Sequence, residues 1–215
     1  MRNELYYLLG RYHYTKGNFK DALELFGLVP DTNEFFARAK FLEGIVNVRD
    51  NNGKVAAEAF RQILRKAKQS NDKATLEFED LANLSLARVF YATKQFPQSI
   101  KFFDKIPSES PDWLPSLFES SWAHYQIDGD SKALGNIHTL NAPFFENEFY
   151  PESLILRAVI FFQRCNYDRA LETIVEFYQT YQALREEILA VIKKFPDNAE
   201  FYKYVLKIRS GEAGL

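Results

Sequence analysis

The sequence has little of what catalytic and membrane-spanning proteins use. It holds one cysteine among 215 residues, which excludes a disulfide within the chain. Its nine glycines are scattered, and it shows no phosphate-binding glycine loop, serine elbow or paired carboxylate motif. No apolar run approaches the roughly 18 residues that a spanning helix needs. We therefore expect no enzyme, no catalytic or metal-binding residue, no cofactor and no direct insertion into a membrane.

A surplus of basic residues is absent as well. The chain carries 27 lysines and arginines against 29 aspartates and glutamates, which gives a net charge of −2. Proteins that bind nucleic-acid backbones normally have a basic surplus. Nucleic acid is therefore not expected as a partner.

The most informative feature that is present is an internal repeat. Gly10, Ala22 and Phe26 recur 34 residues later as Gly44, Ala56 and Phe60. In the later units the position of Gly10 is occupied by Ala87, Ser121 and Ala158. The position of Ala22 is occupied by Ser99, Ala133 and Ala170, and the position of Phe26 by Phe103, Ile137 and Ile174. A period near 34 residues with two helical segments per unit is typical of stacked helical hairpins.

Packing explains why these residue types recur. Two antiparallel helices approach closely only where both carry small side chains, and the large residue one turn later fills the space between hairpins. The spacing between units is 34, 43, 34 and 37 residues. We expect the nine extra residues, within RKAKQSNDKATLEFED, to lengthen the flanking helices, and the three extra residues to lie in the irregular aromatic loop NAPFFENEFYP.

One segment, LLGRYHYTKGNFKDALELF at residues 8–26, carries the whole pattern. A small residue is followed by an aromatic, a turn glycine, and then an alanine and a phenylalanine one helical turn apart. In this order the chain resembles the tetratricopeptide-repeat family over roughly residues 3–178. The resemblance implies an all-α fold, a right-handed α-solenoid of about five helix-turn-helix hairpins plus C-terminal helices. The units fall near residues 3–30, 33–69, 74–107, 111–140 and 148–178, and residues 179–215 form a C-terminal helical extension or cap.

The C-terminal part contains a long stretch without a helix breaker. Residues 168–194 include neither glycine nor proline, which predicts one long helix. Asp197, with Glu200 three residues later, is a helix start signal, and a short amphipathic helix is expected after it.

The resemblance also implies where a partner binds. In that family the first helices of successive units line a concave groove, with the positions beside the packing residues pointing into it. Here these positions are Tyr7, Arg11, Tyr14, Arg38, Phe41, Ile45, Val48, Arg49, Leu84, Arg88, Tyr91, Phe118, Trp122, Tyr125, Ile155, Val159 and Phe162. Some of them are expected to be interior packing residues instead. The clamp with which some family members hold a chaperone's terminal carboxylates is not implied, because the asparagines it needs are absent.

Taken with its groove residues, the resemblance implies a protein-interaction scaffold or adaptor that binds a protein or peptide. An apolar, helical partner segment suits an aromatic groove, with acidic flanks that meet Arg11, Arg49 and Arg88. Two alternatives stay open. One is a structural component of a larger assembly, such as a bacterial envelope complex, and the other is a helical-repeat RNA binder.

The histidines invite a chemical role, but the repeat gives them a simpler one. His13 and His124 stand three residues after the small residue of their units, where Phe90 and Phe161 stand in two others. We therefore expect them to pack in the interior. His138 lies alone, and no second ligand at zinc-like spacing accompanies any of the three.

The single cysteine falls at a turn. Cys165 aligns with Gly17, because RCNY matches KGNF between the two helical segments of a unit. A turn cysteine without an adjacent base is poorly placed as a nucleophile. We expect it to be dispensable for function.

The beginning of the chain is apolar. Leu5, Leu8 and Leu9 lie in the first helical segment, with no polar capping helix before them. We expect either further repeats upstream or self-association. The compartment stays open: cytoplasmic by default, and periplasmic or envelope-associated if the chain is part of a longer exported protein.

Overall fold

The computed structural model describes residues 2–69 and 73–211, and the secondary structure of this part is helical, without a β-strand. Its α-helices are α1 (Arg2–Thr15), α2 (Phe19–Gly27), α3 (Phe36–Arg49), α4 (Gly53–Gln69), α5 (Lys73–Leu76), α6 (Glu79–Ala92), α7 (Phe96–Phe103), α8 (Trp113–Tyr125), α9 (Asp130–Leu140), α10 (Pro151–Gln163), α11 (Tyr167–Lys194) and α12 (Asn198–Arg209). A 3-10 turn lies at Pro143–Phe145.

The helices pair into hairpins in two compact units of the chain, residues 1–148 and 149–215. The first unit contains the hairpins α1–α2, α3–α4, α6–α7 and α8–α9, which we call repeats 1 to 4. The second unit contains the hairpin α10–α11, repeat 5, followed by α12. The expected all-α fold of helix-turn-helix hairpins is confirmed.

Each first helix ends in the same turn. One residue per turn has a positive φ between 56° and 79°, and these residues are Gly17, Asn51, Lys94, Asp128 and Cys165. The next residue's N–H then donates to the carbonyl five positions earlier, at 2.8–2.9 Å in all five repeats. This is the Schellman hydrogen bond, which satisfies a carbonyl that the helix end leaves open. The match of Cys165 with Gly17 is thereby confirmed.

The small and large residues of the repeat pack as their sizes require. Ala22, Ala56, Ser99 and Ala133 are fully buried. The ring of Phe26 lies against Gly10 so closely that a Cβ atom at residue 10 would be 2.7 Å from the ring carbon Cε1. Only a residue without a side chain fits there, because an added methyl group would displace the ring.

In repeat 5 the small residue of the second helix is buried, but the large apolar residue is not. Ala170 is buried, at 5% exposure, as its register predicts. Ile174, however, is 45% exposed, whereas Phe26, Phe60, Phe103 and Ile137 at the same position are 3% exposed or less.

The nine-residue insertion changes one flanking helix, not both. α4 has 17 residues where α2 has nine, so the preceding helix is longer as expected. α6 has 14 residues, the same as α3, and the prediction of a longer following helix is wrong. Part of the inserted sequence instead forms the short helix α5, whose residue Thr75 is buried. Residues 70–72, in the middle of the insertion, lie outside the described part.

The long helix and its successor are both present. α11 has 28 residues and runs through residue 178 without a break. α12 begins after Asp197, whose carboxylate accepts hydrogen bonds from the N–H groups of Ala199 and Glu200 at 3.0 Å. The start signal was therefore interpreted correctly.

Candidate partner-binding clefts

The first helices of the first unit form a row of three clefts, one between each pair of neighbouring repeats. The first cleft, of about 200 Å³, is lined by Tyr7, Arg11, Tyr14, Thr15, Arg38, Phe41, Leu42 and Phe78. The second, of about 490 Å³, is lined by Ile45, Val48, Asn51, Gly53, Phe60, Ser85, Arg88, Val89, Ala92 and Thr93. The third, of about 340 Å³, is lined by Arg88, Tyr91, Phe103, Glu119 and Trp122.

The clefts bring together many of the residues that the repeat register selected. Tyr7, Arg11, Tyr14 and Phe41 meet in the first cleft. Arg88 borders the second and third clefts, and Tyr91 and Trp122 complete the third with it. Residues from different helices converge because each repeat places its first helix beside that of the next.

Two of the selected residues belong to the hydrophobic core. Tyr7 is 7% exposed, and its ring stacks on Phe35 with centroids 5.0 Å apart. Leu84 is 3% exposed and packs in the core with Ala87 and Ile100. Tyr7 and Leu84 stand three residues before Gly10 and Ala87, and a spacing of three residues places side chains on the same helix face. Tyr7 therefore contributes only an edge to the first cleft, and Leu84 contributes to none of the three.

The other aromatic residues of the first cleft are half-buried and held by ring contacts. Phe41 lies between Phe60 and Phe78, with ring centroids 5.8 and 5.6 Å away. Tyr14 contacts the ring of Phe19 edge to face at 5.9 Å. These ring contacts hold the aromatic side chains of the cleft wall in place.

Three arginines of repeats 1 and 2 have no carboxylate partner within the described part of the chain. Arg11 and Arg49 are exposed, and Arg38 is half-buried. The guanidinium of Arg49 lies 4.6 Å from the centre of the Phe19 ring, and that of Arg38 lies 5.8 Å from the ring of Phe35. Stacking on a ring orients a guanidinium while its N–H donors stay available.

Arg88 differs, because a carboxylate of the next repeat already neutralises it. Its Nε is 2.8 Å from Oε2 of Glu119, and its Nη2 is 2.5 Å from Oε1. The hydrogen bonds to Glu119 raise the pKa of Arg88 above its usual value. Arg88 was expected to meet acidic groups of a partner, and in the structure it meets one of its own chain.

Further carboxylates surround this ion pair. Burial raises the pKa of Asp112, and the nearby charge of Asp80 raises it further, whereas Arg88 lowers it. Asp80, Asp112 and Glu119 thus outnumber the one arginine, so the net charge of this group, of which Arg88 and Glu119 line the third cleft, is negative. Glu119 was not selected from the sequence, since an isolated glutamate on a helix reads as an ordinary solvated residue.

The third cleft has an aromatic wall. Tyr91 contacts the ring of Phe96 at 5.4 Å, and burial raises the pKa of its hydroxyl. Trp122 is half-buried and meets Tyr125 edge to face at 6.1 Å. Phe118, one turn before Trp122 on α8, is also half-buried.

The second unit has an apolar groove of its own, which the sequence did not reveal. It has a volume of about 650 Å³ and is lined mainly by Phe149, Phe177, Tyr181, Leu184 and Ile188. The signals that could have found it are the aromatic loop before α10 and the continuation of α11 past the repeat. Phe162, which the repeat register placed in the groove together with Ile155 and Val159, lies elsewhere, exposed beside Tyr167 with ring centroids 5.5 Å apart.

The histidines and the cysteine show no catalytic arrangement. His124 is half-buried, and burial lowers its pKa. His13 Nδ1 lies 3.4 Å from a carboxylate oxygen of Asp21 without the geometry of a hydrogen bond. Cys165 is exposed in its turn. Among the described residues, no group of three or more histidine, cysteine or acidic side chains could hold a metal ion.

None of the described helices is both long and apolar enough to cross a bilayer.

Comparisons with known proteins agree with this architecture. A family model described as tetratricopeptide repeat matches residues 7–71, which hold repeats 1 and 2. A search of curated proteins found no match.

Solved structures with a similar fold match most of the chain. A MamA protein has a TM-score of 0.71 at 11% identity, covering 86% of this chain and 94% of that one. PilF of Pseudomonas aeruginosa has a TM-score of 0.60 at 13% identity, covering 95% and 97%. A Podosopora anserina protein described as a kinesin light chain with nearly identical TPR-like repeats has a TM-score of 0.63 at 15% identity, covering 85% and 96%. At these identities the likeness concerns the fold alone.

Tetratricopeptide-repeat proteins are in general non-enzymatic scaffolds for protein–protein interaction. Residues 7–71 match the tetratricopeptide-repeat family model, and the five equivalent turns and the small-residue register show that the hairpins of this chain have the fold of such repeats.

Proposed function

We propose that this chain is a scaffold or adaptor that binds an apolar, acidic-flanked helical segment of a protein partner along the three clefts of its first unit. The observation that carries the proposal is the row itself, in which apolar and aromatic walls recur at each junction between first helices. An amphipathic helix places apolar side chains at intervals of three and four residues, and such a stripe suits a row of shallow apolar clefts.

The distribution of charge along the three clefts favours one orientation of the bound helical segment. Arg11, Arg38 and Arg49 are available at the repeat 1 and 2 end, whereas Arg88 is paired with Glu119 at the other. An acidic flank of the partner is therefore stabilised over repeats 1 and 2. Over the third cleft, with Asp80, Asp112 and Glu119 nearby, a carboxylate would be repelled and apolar contacts with Trp122 and Tyr91 remain.

The same charges weigh against the alternative of an RNA binder. A phosphodiester backbone needs cations along its whole path. The acidic field at the third cleft interrupts such a path.

The experiment is a selection from a phage-displayed peptide library. Apolar residues are fixed at helical spacing and the positions between and beside them are randomised. We expect the selected peptides to carry aspartate or glutamate at one flank. Selection of basic flanks, or of no helical peptide, would contradict the proposal.

The arginines are then tested on a selected peptide. An Arg11→Glu, Arg38→Glu double variant should weaken binding and remove most of its salt dependence. Arg65→Glu is compared with the single Arg11→Glu variant, which changes the net charge equally, because Arg65 is an exposed arginine on α4, paired with Glu58, that lines none of the clefts. Equal losses in both proteins would show that net charge, not the first cleft, attracts the peptide.

A further inference from the structure

One face of α1, which carries Leu5 and Tyr12, is exposed, although the equivalent face is buried in the first helices of repeats 2 to 4. In repeats 2 to 4 the position of Leu5 is occupied by Ala39, Ala82 and Ser116, each 2% exposed or less. The position of Tyr12 is occupied by Val46, Val89 and Ala123, each 8% exposed or less. These residues lie where α3, α6 and α8 pack on the preceding hairpin. In α1 itself, Leu5 is 52% and Tyr12 56% exposed.

The hairpin of repeat 5 leaves the opposite half of the same contact open. Ile174 stands at the position where Phe26, Phe60 and Phe103 are buried, yet it is 45% exposed. Leu171, three residues earlier on the same helix, is 62% exposed. Neither α12 nor the remainder of α11 covers these two side chains within the second unit.

The two open faces match in repeat position and in apolar character. Inside the first unit a large residue meets a small one: Phe26 shares a core cluster with Ala39, and Phe60 shares one with Ala82. At the open faces both positions hold a large aliphatic residue, Ile174 on α11 and Leu5 on α1, so a contact between them would be apolar like the core clusters.

We propose that this protein associates head to tail with a second copy of itself, with α1 of one chain packed on the α10–α11 hairpin of the next. The contact continues the stacking of hairpins from one chain into another, so the occupant of each open face is the other face. It is independent of the three clefts. Because the two faces differ, the contact is heterologous, and it extends into rings or open chains instead of stopping at a symmetric dimer.

The test uses sedimentation velocity and light scattering of the full chain over a wide range of protein concentration. The average mass should rise with concentration. Leu5→Glu breaks the α1 face and Ile174→Glu breaks the α11 face, and each variant alone should stay monomeric. Circular dichroism should show both to be folded, since both side chains are exposed already.

Mixing the two variants separates a head-to-tail contact from every other kind. The Leu5→Glu chain keeps an intact α11 face and the Ile174→Glu chain keeps an intact α1 face. The mixture should therefore form a dimer of one chain of each kind and nothing larger. Leu28→Glu is the matched control, because Leu28 is 54% exposed on neither face and its variant should associate as the parent does.

Three results would overturn the proposal. The first is a parent chain that stays monomeric at every concentration. The second is a mixture of the two variants that stays monomeric. The third is a Leu28→Glu variant that loses association as completely as the other two.

Discussion

Arg88 on α6 and Glu119 on α8 form a bidentate ion pair that links the first helices of repeats 3 and 4. The pair closes one side of the third cleft and removes Arg88 from the set of cations that a partner could use. It also separates the row into an end with available arginines and an end with surplus carboxylates.

Breaking the pair should have a small effect on stability, and reversing it a larger one. The side chain of Arg88 is half exposed, so Arg88→Ala should lower the free energy of unfolding by about 0.2–1 kcal/mol. Arg88→Glu should cost more, because it adds a fourth carboxylate beside Asp80, Asp112 and Glu119. Restoring opposite charges with Glu119→Arg in that background should recover part of the loss. A double-mutant cycle by chemical denaturation measures the coupling, and zero coupling would mean that the pair is incidental.

The glycine positions under phenylalanine rings should not accept a side chain. Gly44→Ala pushes a methyl group into Phe60 and should destabilise the protein by about 1–3 kcal/mol. Gly135→Ala is the matched control, since Gly135 lies in α9 with nothing within 4 Å of an added Cβ. That change should stabilise by about 0.4–1 kcal/mol. Thermal melts that show the two substitutions to be equal would reject the packing register.

Glycine should increase the stability of the protein at a turn position where a residue other than glycine has a positive φ. Lys94 has a φ of 59°. An L side chain in this region costs about 1–2 kcal/mol, so Lys94→Gly should raise the free energy of unfolding by about 1 kcal/mol after the entropy of glycine is counted. Lys101→Gly, inside α7, should instead lower it by about 1 kcal/mol. A loss of stability at both positions would contradict the turn geometry.

His124 should make the protein less stable in acid. Burial lowers its pKa in the folded state, so below the unfolded value of about 6.5 the unfolded chain takes up the proton more readily. This contribution is absent at higher pH and grows as the pH falls through that value toward the folded pKa. His124→Phe, which copies Phe90 and Phe161, should flatten that part of the stability profile. An unchanged profile in His124→Phe would assign the acid sensitivity to other groups.

The sequence allowed most of the repeat architecture to be predicted, because packing and turn geometry constrain residue type at every unit. Cys165 could be matched to Gly17, and the backbone agrees, since all five turns need a positive φ. The helix α5 could not be foreseen, because the insertion that contains it has no repeat equivalent to compare with. The groove of the second unit was missed for the same reason, as α11 continues beyond the last repeat position.

The clefts were predictable in outline but not in their charges. The register gives the helix face on which a side chain lies, which was enough to bring Arg11, Tyr14 and Phe41 together. It does not separate neighbouring positions on that face, so Tyr7 and Leu84 were assigned to the groove although they lie in the core. It also says nothing of a pair such as Arg88 and Glu119, which depends on side-chain conformations in two different repeats.

The most direct test of the central claim is the affinity of a selected helical peptide for a Trp122→Ala, Tyr125→Ala double variant. Aromatic anchors carry a large share of binding energy, so loss of the Trp122 side chain alone should weaken binding by about 2 kcal/mol or more. Tyr202→Ala, at an exposed tyrosine of α12, serves as the control and should bind as the parent does. If the double variant is folded by circular dichroism and binds more weakly, the clefts are the working surface. Full affinity in that folded variant would contradict the claim and place the binding surface elsewhere on the protein.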